Sequence, residues 1–237
     1  MKKIILYHGS EKIICSPQLS LGKRNNDYGK GFYCTQDLDL AKEWACKNNT
    51  DGFVNEYEID IEGLKILDLR EEKFNILNWI CILVKNRVFK LNQFMEEAKQ
   101  YLISSYNIDL ENFDIVIGYR ADDSYFDYAF SFLDNSLSLE NLEHAMKLGN
   151  LGIQIALISD KAFKKLLFKN ASKVESSIYY KKFYLRDITA REQFRLKYKK
   201  ISEFHGTYII DLMRGKKLWF THLMKRIYIE SKKNFLI

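Results

Sequence analysis

The chain has one proline in 237 residues. That scarcity goes with an abundance of Lys, Asn and Ile and carries no functional meaning by itself. Other absences exclude more. The four cysteines, Cys15, Cys34, Cys46 and Cys81, form no C-x-x-C pair and have no histidine at ligand spacing, which argues against structural zinc and for reduced thiols in a cytoplasmic protein. "MKKIIL" resembles the start of a secretory leader, but the apolar run ends at His8-Gly9-Ser10-Glu11, short of a leader's apolar core. No stretch reaches the length of a membrane helix. There is no G-x-G-x-x-G, no G-x-x-x-x-G-K-[ST] and no G-x-S-x-G, so the fingerprints of parallel nucleotide-binding sheets and of the serine-hydrolase elbow are missing. No internal repeat and no low-complexity linker divides the chain.

What is present supports a substantial core. Apolar residues make up 47% and aromatics 14%, too much for a disordered chain. The formal charge of +6 hides an asymmetry: residues 1–180 sum to −4 and residues 181–237 to +10. Such a split fits an anionic partner for the C-terminal part, nucleic acid or an acidic protein, or a solvated lysine-rich helix face.

Periodicity gives the elements. Strands are expected over 3–7, 53–61, 64–69, 113–119, 152–159 and 174–185, and helices over 38–48, 74–89, 91–106, 122–133, 138–148 and 160–168, with the remainder helical. In 53–61, Phe53, Tyr57, Ile59 and Ile61 alternate with acidic residues, and Asn55 is the exception. Strands and helices mix without strict alternation, which points to an α+β fold rather than a doubly wound sheet.

Two stretches stand out. "YHGS" (Tyr7 to Ser10) ends the first strand with a ring that donates or accepts a hydrogen bond, followed by a glycine that permits close approach of a ligand. "DYGKGFYCT" (Asp27 to Thr35) places glycines beside two aromatics, Phe32 and Tyr33, which face opposite ways in an extended segment. One ring can enter the core while the other walls a pocket for a flat ligand.

With the "A-x-x-W-A" helix that follows, these stretches resemble the NAD-dependent ADP-ribosyltransferases of the diphtheria-toxin and poly(ADP-ribose) polymerase type. More narrowly, the chain resembles a bacterial family in the domain-of-unknown-function series, number three-nine-nine-zero. It shares "YHGS", "DYGKGFYCT", the segment Asp114 to Asp123 and the strand Gly152 to Leu157. The resemblance covers about residues 3 to 168. It implies split antiparallel β-sheets with flanking helices over residues 1–180, and a basic helical extension over 181–237 packed on them.

It also implies roles. NAD would be the substrate and no metal would be needed. His8 would bond the ribose beside nicotinamide, the Gly9 backbone would hold the carboxamide, and Ser10 would meet the adjoining ribose or phosphate. Tyr33 would stack on nicotinamide. Tyr28 and Gly31 would shape the loop over the dinucleotide, Thr35 would support the strand and cap the next helix, and Tyr7 would be a further cofactor-binding residue. Cys34 departs mildly from the apolar position of that motif.

The larger departure is at the third motif position, where active transferases carry glutamate and this chain has Gln154. Loss of that negative charge would cost roughly a few kcal/mol, about two decades in rate. Gln154 then suffices for a slower transfer, or Asp122 or Asp123 supplies a carboxylate, or the pocket binds a nucleotide without turning it over. The pair Asp122–Asp123 can equally cap the helix that follows. The acceptor would be a protein or nucleic acid, and the family type suggests a toxin-like effector controlled by a small antitoxin-like partner. The basic stretch Tyr179 to Lys200 can contact nucleic acid, with Lys181, Lys182 and Arg186 as contacts, or can pack Phe194, Leu196 and Tyr198 inward as an amphipathic helix.

Overall fold

A computed structural model describes residues 2–88, 90–120, 123–146, 152–198 and 206–215. Two sheets carry the fold. One orders β1 (Lys3–Ser10), β3 (Gly52–Asp60) and β7 (Leu166–Val174), all antiparallel. The other orders β2 (Phe32–Cys34), β6 (Ile153–Leu157), β5 (Ile115–Tyr119) and β4 (Ile66–Asp68). Its pairs are antiparallel except β4 with β5, which run parallel. The sheets meet where Tyr7 and Thr35 exchange two backbone hydrogen bonds of 2.7 and 2.9 Å.

The alternation of side chains across each strand sorts the core into two layers. Leu6, Tyr57 and Ile59 from the first sheet meet Phe32, Cys34, Ile115, Ile155 and Leu157 from the second, and all are buried. The opposite face of the second sheet, with Leu67, Val116 and Ala156, packs under helices. This double burial is why "GIQIAL" reads as a nearly continuous apolar run. The helices above it are α2 (Ile76–Asn86), α3 (Gln93–Tyr106), α4 (Asp123–Leu133), α5 (Leu139–Ala145) and the short α8 (Ile209–Met213). The helix α2 is apolar nearly all round, and Trp79, Ile80, Leu83 and Val84 are each within 1% of full burial, as a central helix must be. On the far side of the first sheet, α1 (Leu38–Ala45) packs Ala41 and Ala45 against β1 and β3.

Two expectations are corrected. Residues 160–168 form only a short helix, α6 (Asp160–Lys164); from Leu166 the chain becomes β7, because the open edge of β3 offers it a nine-residue antiparallel ladder. Of residues 174–185, expected as a strand, only Val174 is one, as the end of β7; from Ser176 the chain forms the long helix α7 (Ser176–Tyr198). Its start is set from a distance: the carboxylate of Asp51 accepts the Ser176 backbone N–H at 3.0 Å and its hydroxyl at 3.1 Å. A cap supplied from 125 residues away leaves no local signal. The boundary drawn at residues 180 and 181 falls inside α7. Phe194 packs inward, stacked on Tyr128 with centroids 4.2 Å apart, whereas Leu196 is exposed. Among the described residues, no helix is long and apolar enough to cross a membrane.

Candidate functional site

The site begins where the two sheets part. In an antiparallel ladder, alternate residues turn their backbone groups to the same edge. Thr35 therefore shares an edge with Tyr33, and Thr35 is the residue bonded to Tyr7. One step further along β1, backbone pairing gives way to a side chain: Nδ1 of His8 lies 2.7 Å from the carbonyl oxygen of Tyr33. A carbonyl only accepts, so Nδ1 donates. The neutral ring then carries its lone pair on Nε2, which has no hydrogen-bond partner among the described residues. The ring stacks on Phe32, centroids 4.4 Å apart. Burial lowers the His8 pKa below its ordinary value of 6.5, so the ring is neutral near pH 7 and presents a hydrogen-bond acceptor.

Tyr33 points to the other face of β2. Its hydroxyl donates to the carbonyl of Gly29 at 2.6 Å and accepts the backbone N–H of Tyr28 at 3.1 Å. Both bonds tie down the glycine loop, in which Gly29 takes a positive φ of 75°. Burial pushes the Tyr33 phenol well above its ordinary pKa, so this residue offers its ring, not its proton. The Tyr28 ring lies nearly parallel to it, tilted 10° with centroids 6.4 Å apart. Tyr28 is itself pinned, donating to the carbonyl of Tyr119 at 2.6 Å and accepting from the indole N–H of Trp79 at 3.1 Å.

Gln154 shares the face of Tyr33, since Tyr33 pairs with Ala156 two residues along β6. It is 4% exposed. Its amide nitrogen donates to Oδ2 of Asp27 at 2.7 Å and to the carbonyl of Tyr119 at 3.1 Å. Asp27 is equally buried; its Oδ1 accepts Nε of Arg87 at 2.8 Å and Nη2 at 2.6 Å. The carboxylate that stands beside Gln154 is thus Asp27. Asp122 and the side chain of Asp123 lie outside the described residues.

The remaining predicted residues make the following contacts within the fold. A Cβ on Gly9 would lie 2.6 Å from the backbone nitrogen of Ala45 and 2.9 Å from Cβ of Trp44, so its missing side chain makes room for α1. A Cβ on Gly31 would lie 2.8 Å from the carbonyl of Leu157, so Gly31 admits β6. The Ser10 hydroxyl donates to the carbonyl of Lys12 at 2.6 Å and accepts from Asn55 at 3.0 Å. Thr35 is buried, and its hydroxyl accepts the N–H of Asp37; Asp37 in turn caps α1 through Leu40. The Tyr7 side chain packs with Ala41 and Ala45.

Four contributors went unread in the sequence. Asn55, fully buried opposite His8, donates to the carbonyls of His8 and Lys12 and accepts the N–H of Ile14 at 2.8 Å. Its break in an alternating strand was the available signal. Arg87 anchors Asp27 from the end of α2. Glu43, 3% exposed on α1, pairs with Arg186 of α7, and its Oε2 is buried with no hydrogen-bond partner among the described residues. Beside it the guanidinium of Arg120 lies over the Trp44 ring, 4.6 Å from the centroid. Arg186, expected to face nucleic acid, is therefore turned toward Glu43, while Lys181 and Lys182 are exposed. Among the described residues, no group of three or more His, Cys, Asp or Glu is arranged to hold a metal ion.

The chain belongs to the family described as "Protein of unknown function (DUF3990)", whose pattern matches residues 4–168. That span runs from β1 into β7 and contains His8, Tyr33, Asp27 and Gln154. No curated protein and no solved structure matches the chain.

Proposed function

We propose that this protein is an NAD-dependent ADP-ribosyltransferase-like enzyme that passes ADP-ribose to a protein or nucleic-acid acceptor, in the manner of a toxin-like effector. The observation that carries the reading is the contact of His8 with the carbonyl of Tyr33 at the parting of the two sheets. It joins an imidazole acceptor, stacked on Phe32, to the backbone of Tyr33, whose ring forms a fixed aromatic wall on the other face of β2. A ribose hydroxyl can donate to Nε2, and a pyridinium ring can stack on the phenol.

In the reaction, the bond between the ribosyl carbon and the nicotinamide nitrogen breaks. Nicotinamide leaves neutral with the electron pair, and the sugar carbon gains positive charge. The acceptor's nucleophile then forms the new bond and releases its proton. Groups that orient the ribose and hold the ring accelerate this by binding the charged transition state more tightly than the ground state.

A second reading rests on Gln154. It is neutral and both its amide hydrogens are engaged within the protein, which fits a nucleotide-binding module with slow or no turnover. Incubation of the full chain with NAD labelled on the adenylate, plus a nicotinamide-release assay, decides between them. Release or transfer that disappears in His8→Ala and Tyr33→Ala supports the enzyme. Binding without either product supports the module. No binding at all overturns both.

A further inference from the structure

The buried pair Asp27–Gln154 has consequences for the site, and this inference rests on the reading of it as an NAD site. A backbone carbonyl and a carboxylate that already accepts two hydrogen bonds from Arg87 are both acceptors, so Oδ2 of Asp27 at 2.7 Å and the oxygen of Tyr119 at 3.1 Å meet the nitrogen of Gln154, while the neighbouring Tyr28 hydroxyl donates its proton to Tyr119. The amide cannot turn over without setting its oxygen against both. Its carbonyl oxygen, Oε1, is then directed to the other side and accepts nothing from the described residues.

We propose that Asp27 is a positioning residue that acts through Gln154: its carboxylate locks the amide so that Gln154 presents only an acceptor oxygen on the face it shares with Tyr33. Arg87, with two nitrogens on Oδ1, holds the Asp27 carboxylate in place. Oε1 of Gln154 on the Tyr33 face is then an acceptor, as Nε2 of His8 is beside Phe32, and a ligand must bring the donors, as sugar hydroxyls do. The hydrogen bond from Nε2–H to a carboxylate also polarises the amide, placing more negative charge on Oε1 than an isolated glutamine carries.

This assigns a reason for glutamine at position 154. A glutamate there would set one carboxylate against another at hydrogen-bonding distance, and the two could not both ionise. Glutamine keeps the acceptor without the repulsion, and Asp27 holds the negative charge one side chain further away.

The test is a charge exchange in the full chain, read with NAD by calorimetry, by nicotinamide release across pH, and by thermal melting. Gln154→Glu alone is expected to weaken NAD binding or turnover by about tenfold or more at pH 7 and to lower the melting temperature, with partial recovery as pH falls and the carboxylate pair takes up a proton. Asp27→Asn alone is expected to lower kcat more than it raises KM, or in a binding-only protein to weaken NAD binding, because the amide is no longer held one way round. The double variant Asp27→Asn, Gln154→Glu restores one charge and one donor across the pair, and is expected to recover most of both losses.

Gln154→Glu that is neutral or activating on its own overturns the proposal, as does a double variant no better than its worse parent. If the parent protein binds no NAD, the functional reading fails and this inference with it. If the parent binds NAD but the variants miss this pattern, only the inference fails.

Discussion

Nδ1 of His8 donates to the carbonyl of Tyr33 across 2.7 Å, and this bond fixes which nitrogen of the ring faces outward. Burial lowers the pKa of this histidine below 6.5, with Lys47 adding to the shift and the bond to Tyr33 opposing it. The folded protein therefore binds a proton less readily than the unfolded chain. Stability is fully present above pH 6.5 and falls as pH drops through the window between 6.5 and the lowered folded value, at most about 1.4 kcal/mol per pH unit for this one group. Protonation also turns Nε2 from acceptor into donor. NAD binding is expected to decline at lower pH still, as the folded ring itself takes up a proton around its lowered pKa. His8→Gln, which cannot titrate, removes the pH dependence of stability attributable to this site, as melting curves from pH 5 to 8 will report.

Gly9→Ala separates a packing role from a ligand role. The added methyl would meet the backbone of Ala41 and Ala45 and Cβ of Trp44. These atoms belong to a helix already packed closely against β1 and β3, so the helix must shift. The expected cost is about 1–3 kcal/mol, in the range for overpacking. A lowered denaturant midpoint without NAD confirms it; unchanged stability with lost binding would instead mean that the glycine faces the ligand.

Asn55→Leu tests what holds the end of β1. Asn55 joins His8, Ser10, Lys12 and Ile14 through one buried amide. Leucine would leave several of these backbone groups short of a partner, at about 1–3 kcal/mol for each group fully stranded. A drop in melting temperature is expected together with weaker NAD binding, because His8 sits on the strand that is released. Asn55→Asp, which keeps the acceptor for Ile14 but loses the donors, is expected to destabilise as well. A variant with normal stability would remove Asn55 from the support of the site.

The parts legible in the sequence were those written locally. The alternation of 53–61 gave β3, the apolar run near 80 gave the central helix, and small residues beside rings gave the loop that Tyr33 anchors. The parts that were not legible depend on partners far along the chain. β7 exists because β3 has an open edge, and α7 starts because Asp51 caps it. The glycines, expected as openings for a ligand, also leave room for neighbouring backbone at two positions, Gly9 and Gly31. Asp27 sat in the quoted loop without a role, since nothing local shows that it meets Gln154 127 residues later. Nothing local marks Glu43 either, since its partner Arg186 lies 143 residues later on α7.

That covered glutamate gives the last prediction. Glu43 is nearly inaccessible, and burial is the largest influence on it, raising its pKa above 4.5 while Arg186 and Arg120 pull it down. Arg186→Ala removes the direct partner and leaves a carboxylate that is harder to ionise. Breaking a fully buried pair costs roughly 3–5 kcal/mol. Here Arg186 is partly exposed and Arg120 stays close, so about 1–3 kcal/mol is expected at pH 7. A carboxylate with a raised folded pKa binds protons more readily when folded, so its penalty grows as pH rises above the unfolded value of about 4.5 and shrinks below it. The deficit of Arg186→Ala should therefore be smaller at pH 5 than at pH 7. Glu43→Gln, with no charge to strand, should lose less than Arg186→Ala at pH 7, and combining the two should cost less than the sum. Equal deficits at both pH values would show that α7 is held to α1 by packing alone and that the ion pair contributes nothing to its docking.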